Sequence, residues 1–347
     1  MLNQRICHVN LSAGYRGGER QTEILLEQNI ANSFVKPVLV VLDLGELHLR
    51  WKNRADVICI AVKGRLAGHY SKALKNISLY HAHESKAAHW VLIQTSFHKA
   101  PYVITRRVEH PLKNNWFTRK VHSKASVVIG ISNAIIKYLR EYGLARLELI
   151  PDATDLPLLS PSVGALEVSL VNSRPLKILQ AGALIDSNKG QSIAIKAMRL
   201  VKKKCTLDIF GDGPDGDELN SLIEKLSLEE VVKLHPWPGS LVNFIREYDI
   251  FIMPSLHEGL GSILIDVMRM RLPIVASKVG GIPDLIEDEV NGILFESGSP
   301  EDLAKAIDSL TPEKRERFVK EAAKISDRFT AKTIFDQHVK IYKLAIR

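Results

Sequence analysis

Residues 251–284 read FIMPSLHEGLGSILIDVMRMRLPIVASKVGGIPD, and this stretch decides the fold. The apolar run Tyr248 to Met253 has the length and bulk of a buried strand, and Pro254-Ser255 breaks it into a loop. His257, Glu258 and Gly259 therefore stand just past a strand's carboxyl end. Gly259-Leu260-Gly261-Ser262 comes next, and Ile263, Leu264, Val267, Met268 and Met270 keep a helical period, so Ser262 is the candidate N-cap. Bare amides at a helix N-terminus beside two glycines attract an anion. A second strand, Pro273 to Ser277, runs into the glycine loop at Val279 to Pro283. In open α/β sheets ligands sit outside the carboxyl ends of strands, which places the Glu258 carboxylate beside a phosphate-sized pocket.

Working outward, 347 residues exceed what one core usually holds, so two domains are expected, residues 1–171 and 172–330, with a terminal helix near 331–347. An apolar content of 46% with 25% charged residues fits a globular protein, and no run approaches the ~20 apolar residues that span a bilayer. The start of the chain lacks an apolar signal core, and Cys7, Cys59 and Cys205 are widely spaced and odd in number. Both features predict a cytoplasmic protein with free thiols. The net charge of +8 is uneven: residues 1–175 hold 23 Lys and Arg against 13 Asp and Glu, the rest 24 against 26. The first half is where an anionic partner is expected, whether lipid head groups, a phosphorylated glycolipid or nucleic acid, although a solvated basic face gives the same count.

Glu258, seven intervening residues, Asp266, then a Pro-led strand and Val279-Gly280-Gly281 resemble the signature of the retaining glycosyltransferases of family 4. That resemblance implies the GT-B fold, two Rossmann-like α/β domains facing across a cleft with the last helix crossing back onto the first domain. It implies that Glu258 touches the donor sugar's hydroxyls, that Asp266 holds the ribose, and that Gly259, Gly261 and Ser262 offer amides to the diphosphate. The family usually has Glu at position 266; Asp shortens the reach by about 1.5 Å. It also usually has Gly where this chain has Arg271.

The same resemblance extends to other loops. LKILQAG, ending at Gly182, precedes Lys189-Gly190, where the family clamps the diphosphate with Arg and Lys; Ala183 stands in the Arg position, leaving Lys189. Gly211-Asp212 matches a donor-side turn. Gly17-Gly18-Glu19-Arg20 matches the loop that approaches the donor phosphate from the other domain, where a Cβ would obstruct. G-x-x-G-G is not a dinucleotide fingerprint. His81-Ala82-His83 ends a short strand; alternation puts both rings on one face, but no third ligand lies nearby in sequence, so metal is not expected and His83 is a candidate cleft residue. Thr105-Arg106-Arg107 replaces the usual Thr-x-His, so either Arg107 or His110 fills that cleft position; Arg106 and Arg107 as surface residues of an edge strand is the plain alternative.

Asp215-Gly216-Asp217 has the spacing of a metal-carboxylate motif, but its place at a helix start predicts capping. Leu66 to Leu74 reads as a basic helix and Thr154 to Arg174 as the linker. Together these readings point to transfer of a sugar from a nucleotide-sugar to an anionic glycolipid or glycan, with retention, no metal cofactor and no nucleic acid. The expected location is the inner face of a bacterial cytoplasmic membrane, in lipopolysaccharide core or surface polysaccharide synthesis. A sugar-nucleotide epimerase or hydrolase of the same fold, and a nucleic-acid-binding protein, are the rival readings.

Overall fold

The computed structural model describes residues 4–33, 35–160, 174–242 and 244–347. In chain order it runs β1 (Ile6–Asn10), α1 (Gly17–Ala31), β2 (Val38–Leu42), α2 (Glu46–Trp51), β3 (Ile58–Val62), β4 (Leu79–Ala82), α3 (Ser85–Phe97), β5 (Tyr102–Arg106), α4 (Trp116–Ser123), β6 (Val127–Gly130), α5 (Asn133–Glu141) and β7 (Leu147–Leu149). Then come β8 (Leu176–Ala181), α6 (Asp186–Lys189), α7 (Gln191–Ala197), β9 (Cys205–Phe210), α8 (Gly216–Lys225), β10 (Val232–His235) and β11 (Ile250–Met253). The chain ends with α9 (Ile263–Arg269), β12 (Ile274–Ser277), β13 (Ile293–Phe295), α10 (Pro300–Ser309), α11 (Pro312–Ser326) and α12 (Ala331–Ile346).

These elements form two compact units, Met1–Asp155 with Arg328–Arg347, and Leu156–Asp327. The first holds a seven-stranded parallel sheet in the order β3-β2-β1-β4-β5-β6-β7, the second a six-stranded parallel sheet in the order β10-β9-β8-β11-β12-β13. Each is Rossmann-like, as the sequence predicts. Parallel strands covered by helices on both faces must be apolar throughout, and β1, β4, β5, β11 and β12 are buried at every residue. The strand order reverses between β1 and β4 in the first unit and between β8 and β11 in the second, which opens a crevice at the carboxyl ends there.

The expected boundary at residues 171 and 172, and most of the expected linker, lie outside the described residues. Thr154 pairs with Thr330, which brings the chain into α12 within the first unit. There Ile334, Phe335, Ile341 and Tyr342 share a core with Ile6, Leu79, Val103 and Ile129 of the sheet.

Two expectations need correction. Leu66 to Leu74 is not a helix beyond one 3-10 turn at Lys72–Leu74. Gly68 sits at φ +82, where a Cβ would lie 2.3 Å from Val62, and this bend interrupts any helical run. The β5 strand is interior, not an edge: β4 and β6 flank it, and Arg106 is buried.

Gly190 closes α6 at φ +62, and a Cβ there would stand 2.1 Å from the Pro254 carbonyl oxygen. Gly190→Ala should destabilise the second unit by about 3 kcal/mol or more, combining left-handed strain with backbone overlap. Urea denaturation followed by tryptophan emission measures this, and an unchanged midpoint would show that the loop after β11 moves away freely.

Candidate functional site

In the second unit the crevice at the sheet reversal is built from the loops after β8 and β11. The Asn188 carbonyl accepts the amides of Leu256 and His257 at 2.8 and 3.2 Å, which pins the β11 loop to α6. Ser277 and Ser297 hydroxyls both donate to the Ser255 carbonyl, at 2.6 and 3.1 Å, fixing the other side of that loop. Thus held, Glu258 meets Lys189: Nζ lies 2.5 Å from Oε2, and Ser255 Oγ donates to the same oxygen at 3.5 Å. The carboxylate is 14% exposed and the lysine 28%, so the pair faces solvent from a recess. The Glu258 carbonyl accepts the Gly281 amide at 3.1 Å and so draws in the glycine loop after β12.

The predicted donor-side residues of this unit lie on the loops after β8, β9 and β11 and on α9. Gly182, at φ +156, lets the Lys189 stem pass 3.9 Å from the place a Cβ would occupy. Gly211 is demanded by the chain itself, because a Cβ there would be 1.9 Å from the Gly182 carbonyl. Asp212 is exposed, and its Oδ1 accepts the Trp237 amide at 3.4 Å. Gly259 is partly exposed, and Gly261 turns the chain at φ +85 into α9. Ser262 occupies the N-cap position without its side chain capping the helix, since its backbone is already helical. Asp266 is 6% exposed, so it does not lie on a solvated helix face. Arg271 takes φ +60, a conformation that suits glycine, and its Nε donates to the Leu159 carbonyl at 2.6 Å.

Asp215 does not cap its own helix, α8. Its Oδ2 accepts the Asp186 amide at 2.7 Å, so it caps α6 and orients the helix that carries Lys189. Asp208 escaped the sequence reading: its carboxylate meets His235 Nε2 at 2.7 Å and takes a hydrogen bond from Tyr248 OH at 3.0 Å, while His235 stacks on Phe210 at 4.5 Å.

The first unit's reversal point holds a buried polar array. The β1–β4 register sets His8 opposite His81, and His83 follows two residues on, so three rings share one side of the sheet. His8 Nδ1 lies 3.0 Å from His83 Nε2, and Asn29 Nδ2 lies 3.1 Å from His8 Nε2. His81 Nδ1 meets Tyr342 OH at 2.8 Å and its Nε2 meets Thr105 Oγ1 at 2.7 Å, with the His338 ring 5.5 Å away. His8, His338, Tyr342 and Asn29 were invisible as a set in sequence, because they come from β1, α12 and α1.

His8 supplies the third imidazole that the sequence reading did not find for His81 and His83. The three nitrogens lie within 4.8 Å of one another, close enough for a metal ion. Both nitrogens of His8 and of His81 have protein partners. His83 Nδ1 is the nitrogen of these three rings with no partner.

Arg107 bridges this array to the loop after β7, donating to Asp152 Oδ1 and to the His83 carbonyl, both at 3.1 Å. Arg106 is turned inward onto Ser85 and the His110 carbonyl, with its guanidinium held below the usual arginine range by burial. His110 itself is exposed. Gly17 and Gly18 begin α1 with ordinary backbone; a Cβ at Gly17 would meet nothing within 4 Å, and one at Gly18 only Arg107 Cδ at 3.8 Å. The chain's own packing does not require glycine at either place.

Residues 166–325, nearly the whole of the second unit, match the family described as Glycosyl transferases group 1. Among curated relatives, a D-inositol 3-phosphate glycosyltransferase of Paenarthrobacter aurescens is 30% identical over 205 residues, 55% of this chain and 50% of that protein. An amylovoran biosynthesis glycosyltransferase of Erwinia amylovora is 32% identical over 183 residues, 50% of this chain and 44% of that one. This chain thus spans about half the length of the curated relatives it matches. Anabaena HepE, solved with UDP and glucose, superposes with a TM-score of 0.83 at 21% identity, covering 98% of this chain and 100% of that one. The lipopolysaccharide outer core galactosyltransferase WaaB gives a TM-score of 0.77 at 15% identity, covering 98% and 99%. The fold is that of the GT-B glycosyltransferases.

Burial keeps the four imidazoles of the first unit neutral: His8 is lowered to about 3, His338 to about 4, and His81 and His83 well below the ordinary value. In the unfolded chain each takes up a proton near pH 6.5, so stability is intact above that value and is lost as pH falls from about 6.5 toward 4. The slope should approach roughly 1.4 kcal/mol per pH unit for each histidine. Urea denaturation at pH 7.5, 6 and 5 checks this, and His8→Asn should flatten the slope by one proton's worth; a pH-independent midpoint contradicts it.

Proposed function

We propose that this protein transfers a sugar from a nucleotide-sugar to a glycan or glycolipid acceptor with retention of configuration, without a divalent metal. The observation that carries the reading is the Lys189–Glu258 pair, recessed at the strand reversal and ringed by glycine loops. In the free protein the two charges satisfy each other. An incoming diphosphate competes for Lys189, and Glu258 is left to accept hydrogen bonds from the sugar's hydroxyls. Charge then builds on the departing phosphate as the glycosidic bond breaks, and Lys189 with the Gly261 and Ser262 amides lowers its energy. The acceptor hydroxyl attacks from the leaving group's face and gives its proton to the diphosphate oxygen. Asp266 is the candidate ribose ligand. Gly17 and Gly18, unneeded by their own unit, fit a backbone that a phosphate must approach.

Within the first unit, His83 and Arg107 lie together and suit an anionic acceptor, with His110 the alternative for the cleft position. The names of relatives in amylovoran and lipopolysaccharide synthesis favour a lipid-linked bacterial glycan made at the cytoplasmic face of the inner membrane. No helix among the described residues is long and apolar enough to cross a membrane, so peripheral attachment through basic residues is the proposed arrangement.

UDP, held by the solved Anabaena neighbour, is the first probe. Lys189→Ala should weaken UDP binding in calorimetry about tenfold or more, through loss of a charge-assisted contact. Glu258→Ala should lower transfer from a labelled nucleotide-sugar by about 100-fold, since a misplaced sugar forfeits orientation, with the urea midpoint little changed. Wild-type turnover in Glu258→Ala, or release of free sugar independent of acceptor, would overturn the assignment.

A further inference from the structure

The most basic stretch of the first unit also exposes large apolar side chains. Leu66 is 84% exposed, Tyr70 84%, Trp116 70% and Phe97 47%. Tyr70 and Phe97 rings are 5.0 Å apart at the C-terminal end of α3. Two turns back on the same helix, His89 lies 5.1 Å from Phe117, beside Trp116 at the start of α4, and 3.3 Å from Arg65 Nη1. His89 and Phe97 are eight residues apart, about 12 Å along one side of α3, so the two aromatic groups belong to one surface.

The sequence that carries this surface is strongly basic. Between Val57 and Arg140 the chain has 14 Lys and Arg and only Glu84 and Glu109 as acids. Glu84 is spent on the N-cap of α3, accepting the Lys86 and Ala87 amides. Lys63, Arg65, Lys72, Lys75, Lys99 and Lys113 are exposed, and Lys120 Nζ lies 4.5 Å over the Trp116 ring.

We propose that this face is a membrane-docking surface, on which lysines and arginines meet anionic lipid head groups while Leu66, Tyr70, Phe97 and Trp116 enter the acyl boundary. The inference rests on the peripheral-membrane reading above and deepens it. Charge alone does not require exposed rings, and rings alone do not require cations; their combination suits a surface that is anionic outside and apolar beneath. Attraction recruits the protein over a Debye length, and insertion then retains it when salt weakens the attraction.

The test uses the full chain with vesicles of phosphatidylglycerol or phosphatidylcholine. With phosphatidylglycerol, tryptophan emission should shift to the blue and bromine-labelled lipid should quench it; with phosphatidylcholine neither should happen. Trp51 and Trp90 are buried and Trp237, 40% exposed, belongs to the second unit, so Trp116→Phe should abolish the shift while the protein still sediments with vesicles, and Trp237→Phe should leave it in place. The combined variant Leu66→Ser, Tyr70→Ser and Phe97→Ser should raise the lipid concentration for half-binding roughly tenfold or more. All three positions are exposed, and an unchanged urea midpoint would confirm that folding is intact. Sedimentation with no emission change, or no sedimentation at low salt, would overturn the proposal. Emission that responds to short single-stranded RNA but not to vesicles would assign the face to nucleic acid instead. UDP calorimetry on the same samples reports on the second unit, so failure of docking and failure of the transferase reading are separable.

Discussion

The second unit turns on a close approach of two backbones: Gly190 against the Pro254 carbonyl, with the Asn188 carbonyl taking two amides from the loop after β11. Hydrogen bonds of this kind fix a loop without a side chain, and here they set the exit of one central strand against the first helix after the other. Lys189 and Glu258 are 69 residues apart in sequence, yet they meet because their flanking backbones cannot separate. Asp215 adds to this by capping α6 from a third loop. The charge pair is a consequence of that backbone geometry, not its cause: a partly exposed ion pair contributes at most about 1 kcal/mol.

The first unit solves the same topological problem with side chains. Its reversal point is filled by imidazoles that cross from β1 to β4 and up to α12, with Asn29, Thr105 and Tyr342 completing the hydrogen bonds. Burying four titratable rings costs stability in acid, yet the array places the His83 carbonyl and the Arg107–Asp152 pair against one another at the strand ends. Polar residues specify the core at the sheet reversal of one unit, and backbone contacts do so at the equivalent place in the other.

Much of this was legible in the residues. Alternating apolar strands and amphipathic helices predict two parallel-sheet units, and Pro254-Ser255 and Gly259 to Ser262 mark the loop that bears Glu258 because proline and glycine interrupt strands for stated steric reasons. Partners far apart in sequence were not legible. Arg106 reads as a surface cation until β5 is seen between β4 and β6. Asp215 reads as the cap of the helix it begins, because nothing local reports that Asp186 lies nearer. Gly68 hid a bend inside what looks like a helix, since nothing local reports its φ of +82 or that Val62 leaves no room there for a Cβ. His8 carries no motif and joins His83 only through the pairing of β1 with β4.

The place of α12 bears on how the chain acquires its shape. Tyr342 and His338 close over His81, and Ile334, Phe335 and Ile341 complete a core whose strands lie in the first half of the chain. Every residue of the second unit is translated between the sheet and the helix that seals it. At ribosomal speeds of about 5–20 residues per second, the β1–β4 side chains wait on the order of ten seconds for their cover. During that interval the second unit, continuous in sequence, can finish folding, while the first exposes an apolar and imidazole-lined face. The order of synthesis thus makes the second unit the earlier one to mature.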